Sequence, residues 1–198
     1  MKLASAVLCA AALMLGGCSS MRLVDSEVVS FVPESTAPIT VPATYRFEWL
    51  PSQQARAPQQ AQLENLAVPV LSGFGLHRDD QAPRYSVQIE VRVQRELYEP
   101  WESPWFGVSH HHFIGFGMGR FGRGAAVAIH SDFPTYRREV ALVLRSVAGN
   151  QIVYESHAQH EGRWSDDPAV VSAMLQAALT GFPKAPPGLR KVDIEIPR

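Results

Sequence analysis

Ten residues near the middle of the chain constrain its fold more than any others. Across 85–94, Tyr85, Val87, Ile89, Val91 and Val93 alternate with Ser86, Gln88, Glu90, Arg92 and Gln94. A period of two places the apolar side chains on one face of a strand and the polar ones on the other. A strand with one dry and one wet face belongs in a sheet covered on a single side, the habit of antiparallel sheets. The alternation returns in 137–147 through Val140, Leu142 and Leu144, then Ala148-Gly149-Asn150 leads into 151–159. Gly and Asn tolerate positive φ, so a tight hairpin is predicted between these two strands. A further strand is predicted where Val41, Ala43, Tyr45, Phe47 and Trp49 alternate with polar residues and Pro, ended by Pro51 and Ser52.

Two helices are predicted to cover the dry face. In 58–72, with Phe74 just beyond, Leu63, Leu66, Val70, Leu71 and Phe74 recur at helical spacing; Pro58 suits the first turn and Gly73 the stop. Pro69 removes a backbone bond, so this helix either kinks there or ends near Val68. The second helix, 167–180, has Ser165, Asp166 and Asp167 as caps and Pro168 at its start. Val170, Val171, Met174, Leu175, Ala178 and Leu179 form its apolar stripe, and Gly181 and Pro183 stop it. Residues 22–32 are valine-rich but broken by Asp25, Ser26 and Glu27, and the proline-rich tail, 184–198, holds a short alternation at Val192, Ile194 and Ile196 that can pair on a sheet edge. The expected fold is α+β: a mainly antiparallel sheet of four to six strands with two helices packed on one face.

The first twenty residues carry a different message. Lys2 precedes an almost unbroken apolar run from Leu3 to Leu15, and Leu15-Gly16-Gly17-Cys18 follows, then two serines. This is the form of a secretory signal, with small residues at the cut between Gly17 and Cys18. The ending looks like a bacterial lipobox, in which Cys18 is acylated and becomes the new N-terminus. Both cysteines, Cys9 and Cys18, lie in this leader, so the remaining domain has no thiol for disulfides, zinc or nucleophilic chemistry. Eighteen basic against nineteen acidic side chains leave no basic stripe, and no nucleic-acid partner is expected.

Lipobox, the strand Thr44-Tyr45-Arg46-Phe47, a helix ending in Gly73-Phe74-Gly75-Leu76, an alternating strand, a Gly-rich middle, a hairpin and a last helix closing on Phe182-Pro183 together resemble the DUF4136 family of bacterial lipoproteins. The resemblance implies fold and envelope location and supplies no catalytic motif. The chain divides accordingly into a signal peptide (1–17), a lipidated N-terminus with tether and candidate first strand (18–40), an α+β domain (41–183) and the tail (184–198).

A long segment within that domain, 95–135, departs from the family pattern. His110, His111 and His112 invite a metal reading; on a strand only His110 and His112 share a face, with His130, His157, His160 or a carboxylate as candidate third ligands. A solvated polar turn explains them as simply. Gly117-Met-Gly-Arg-Phe-Gly122 has dinucleotide-loop spacing but no helix after it, and no Gly-x-Ser-x-Gly elbow occurs. Trp101, Trp105, Phe106, Phe113 and Phe116 either cover the local core or stay exposed and dock a partner protein, a glycan or the headgroup zone of a membrane. The expected function is therefore a membrane-anchored envelope lipoprotein, a non-catalytic interaction or structural module facing the periplasm, with no cofactor. The alternative is a periplasmic metal- or small-ligand-binding module using the His110–His112 loop. Ser19 in place of Asp after Cys18 favours the outer membrane by resemblance to the usual sorting pattern.

Overall fold

A computed structural model describes residues 21–34, 37–96, 114–119, 122–127, 135–163 and 167–197. In chain order the elements are β1 (Met21–Phe31), β2 (Ala43–Phe47), α1 (Pro51–Gln54), α2 (Ala57–Gly73), β3 (Leu76–Arg78), β4 (Tyr85–Glu96), β5 (Ile114–Gly119), β6 (Gly122–Val127), β7 (Thr135–Ser146), β8 (Ile152–Gly162), α3 (Asp167–Leu179) and β9 (Arg190–Pro197). Seven strands form one sheet in the order β3-β2-β4-β7-β8-β1-β9, and β5 pairs with β6 as a two-stranded ribbon.

The sheet is mixed. β2 runs parallel to both β3 and β4, and the pairings from β4 through β9 are antiparallel. This overturns the expected mainly antiparallel sheet of four to six strands with two helices: the described chain has seven strands in one sheet and three helices. The cause is local. The chain leaving β2 turns through α1 and α2 before returning, and a helical crossover delivers the next strand parallel. β3 is three residues long, too short to show an alternation, and α1 is four, too short for a stripe.

The strands predicted from alternation are all present. The hairpin joins β7 to β8, with Asn150 at φ 51° and Ser146 N–H donating to the Gln151 carbonyl at 2.9 Å. β1 lies inside the sheet between β8 and β9, and β9 occupies the edge. Inner-face residues Val24, Val28, Val87, Ile89, Val140, Leu142 and Leu144 are buried, those of β1 and β7 on strands that pack against α3, whose Val170, Val171, Met174, Leu175, Ala178 and Leu179 are buried as the stripe predicts.

The face of α2 is rotated from expectation. Its buried residues are Gln60, Glu64, Ala67 and Leu71, while Leu63, Val70 and Phe74 are only partly buried. A polar stripe can face inward because each group finds a partner. Glu64 accepts from Trp49 Nε1 and sits 3.7 Å from Arg78, and Gln60 Nε2 donates to the Ile89 carbonyl at 3.3 Å. The helix also runs through Pro69 to Gly73, with no end at Val68. Pro69 is exposed, so a carbonyl deprived of its donor can turn to water.

Candidate functional site

Of the residues singled out from sequence, Gly17, Cys18, Trp101, Trp105, Phe106, His110, His112, Phe113 and His130 lie outside the described residues. Phe116 lies in β5, opposite Ala125 of β6. Gly117 pairs with Gly124 and Gly119 with Gly122, so the glycine spacing belongs to an antiparallel ribbon and no helix follows it, as a dinucleotide loop requires. Among the described residues no group of three or more His, Cys, Asp or Glu is placed to hold a metal ion.

Three polar arrangements that periodicity did not reveal lie on the inner side of the sheet. The first joins β1, β8 and the end of α3. Arg190 Nη2 donates to Ser30 Oγ at 3.1 Å and to the Thr180 carbonyl at 2.7 Å. Ser30 and Ser156 hydroxyls are 2.9 Å apart, and Ser156 Oγ donates to the Ala178 carbonyl at 2.7 Å. Tyr154 OH donates to the same carbonyl at 3.0 Å, its ring set edge-on to Phe182. A helix leaves its last carbonyls without partners, and these donors supply them, with a cation where the helix dipole favours one. The role is structural. Ser156→Ala should cost about 1–2 kcal/mol, because the Ala178 carbonyl loses its shortest bond in a dry site, as read by urea unfolding of the variant.

The second lies where β1 and β8 part. Their pairing runs from Phe31↔Glu155 to Glu27↔Gln159. Just beyond, His160 Nδ1 lies 2.6 Å from the Asp25 carbonyl and 3.3 Å from Asp25 Oδ1. Two acceptors at one nitrogen place the proton there, so Nδ1–H donates and the ring replaces a ladder bond. Gly162 is required beside it, since a Cβ there would stand 2.7 Å from Nε2. On the outer side Lys191 Nζ, 3.0 Å away, holds the Asp25 carboxyl below the usual carboxylate range. Arg138, cross-strand from His160 and fully buried, places its guanidinium 5.2 Å from the Tyr136 ring centre.

Ser26, His160 and Asp25 have the residue types of a nucleophile, base and orienting group, but not the geometry. Ser26 Oγ is fully buried and has no hydrogen bond among the described residues, whereas a nucleophile must reach both its base and its substrate.

The third is a cleft of ≈ 320 Å³ between α2, β4 and the start of α3. Leu63, Leu66, Val91 and Val171 give it apolar walls, and Gln59 and Gln62 stand at its rim. Gln53 Nε2 is already committed to the Ile89 carbonyl at 2.7 Å, and Glu90 pairs with Arg92 at 3.0 Å. With Arg56 also in the lining, amides, a cation and apolar walls suit binding by shape and polar contacts.

No family model and no curated protein sequence matches this chain. Among solved structures it is similar to a PDZ domain protein from Parabacteroides distasonis, with TM-score 0.52 and 9% identity over 88% of this chain. The match spans 39% of the length of that protein. It is also similar to the PelC dodecamer from Paraburkholderia phytofirmans in two crystal forms, with TM-scores of 0.40 and 0.41 and 13% identity, over 78% of this chain and 95% and 96% of that one. At 9% identity the likeness to the first is one of fold alone.

Proposed function

We propose that the protein is an envelope lipoprotein, anchored through acylated Cys18 and acting as a non-catalytic interaction or structural module on the periplasmic side of the outer membrane. The observation that carries this reading is the run of Lys2, an apolar stretch and Leu15-Gly16-Gly17-Cys18, in register, ahead of a domain otherwise without cysteine. The fold is compatible with it: β1 begins at Met21, immediately after the two serines that follow Cys18. No helix among the described residues is long and apolar enough to cross a membrane.

The test is the intact mass of the N-terminal peptide from the native membrane fraction, together with Cys18→Ser in the full chain. The expected results are a mature start at Cys18 carrying fatty-acyl mass, and a variant that carries no acyl mass and is not cut before position 18. A retained leader or an unmodified thiol at Cys18 overturns the reading. Cross-linking in the same fraction is expected to capture an envelope partner whose recovery is insensitive to chelator.

A further inference from the structure

The registers bring several ends of the chain together. Met21 pairs with Pro197, Glu96 with Thr135, and Tyr136 with Gly162, so the start of β1, the end of β9, the end of β4, the start of β7 and the end of β8 share one end of the sheet. At that end the β1–β9 ribbon continues past β8, because β1 pairs with β8 only from Glu27 onward. On the outer face of this overhang Met21 is 40% exposed and Leu23 53% exposed, opposite Pro197 and Glu195.

Exposure alone does not identify a docking surface. Phe31, Val32 and Val147, at the other end of the sheet, are exposed to similar degrees. The two ends differ in their distance from Cys18. Three residue steps separate Cys18 from Met21, at most about 11 Å of extended chain. The far turn at Val147 lies beyond the length of β7, whose 12 residues span about 36 Å. A short tether holds whichever end it leaves against the surface that carries the lipid, and large apolar side chains there can enter the boundary between headgroups and acyl chains.

We propose that Met21 and Leu23 seat the β1–β9 end of the sheet in the headgroup zone of the bilayer that holds the Cys18 acyl chains. The proposal rests on the lipoprotein reading above. It orients the molecule: the sheet stands on its β1–β9 end, and the β7–β8 hairpin points into the aqueous compartment.

The mature chain has no thiol apart from Cys18, so one introduced cysteine takes a label uniquely. Leu23→Cys and Val147→Cys, both at exposed positions, are made in the full chain, purified after processing, labelled with a polarity-sensitive fluorophore and reconstituted in phosphatidylcholine vesicles containing a headgroup nitroxide lipid. The label at position 23 is expected to be quenched several-fold more than that at 147. Amide exchange in the unsubstituted protein provides a second measurement: residues 21–24 should exchange more slowly in vesicles than in a soluble form that begins at Ser19, with 146–151 unchanged. Acylated Cys18 with both labels quenched alike, or with no slowing at 21–24, overturns the docking and leaves the lipoprotein reading standing. An unmodified Cys18 overturns both.

Discussion

Leu142→Ala is expected to lower the free energy of unfolding by about 2–5 kcal/mol, the range for deleting a large aliphatic side chain from a packed interior. Leu142 is fully buried at the centre of β7, with Ile89 of β4 on one side and Ser156 of β8 on the other. β7 is the middle strand of the sheet, so no edge movement can close the space the side chain leaves. Its neighbour Val143 points to the opposite face, between Gln88 and Glu155, and is only partly buried. Val143→Ala should therefore cost less than about 1 kcal/mol, as expected for a site near the surface. Urea unfolding of the two variants separates them, and equal losses would mean that the dry face of the sheet has been misassigned.

Tyr45→Phe is expected to change little at neutral pH and much in alkali. The Tyr45 ring is fully buried and packs edge-on to Phe47 at 5.2 Å, and its hydroxyl has no hydrogen bond among the described residues. Burial pushes the phenol up to about 12, against a smaller opposing pull from Arg78. In the unfolded chain the same group ionises near pH 10. Between these values the unfolded state has released a proton that the folded state still holds, so each rise in pH favours unfolding. The loss approaches about 2–3 kcal/mol by pH 12, and phenylalanine removes it. At pH 7 the variant should be as stable as the parent or slightly more so, since an unpaired buried hydroxyl contributes no bond to lose. Parallel pH titrations of unfolding decide the matter; an unchanged alkaline midpoint would show that Tyr45 does not ionise on unfolding.

Both expectations depend on how side chains sort between the faces of the sheet, and here the sequence was informative in a particular way. Strict alternation at Tyr85, Val87 and Ile89, and at Val140, Leu142 and Leu144, identified a strand and its dry face together, because a period of two leaves no other face for those residues. The stripe of α3 was legible for the same reason at a period of 3.6. The face of α2 was not. Gln60 and Glu64 read as solvent-facing, and they are buried because Ile89, Trp49 and Arg78, distant in sequence, supply partners. His160, Arg138 and Ser26 were equally hidden. A polar residue in a strand is read as outward, and only the register shows three of them on neighbouring strands of the covered face.

Local chemistry in the chain determined the positions of the alternating strands and the glycine–asparagine hairpin, and it is the whole basis of the proposed leader, since each rests on residues a few positions apart. The direction of strand pairing was decided by tertiary structure. An antiparallel and a parallel strand can carry the same alternation, and the α1–α2 crossover selected parallel pairing for β2, β3 and β4. Tertiary structure also brought Met21 and Pro197 side by side at the end of the sheet nearest the proposed anchor, a juxtaposition of residues far apart in the chain that only backbone hydrogen bonding between strands could create.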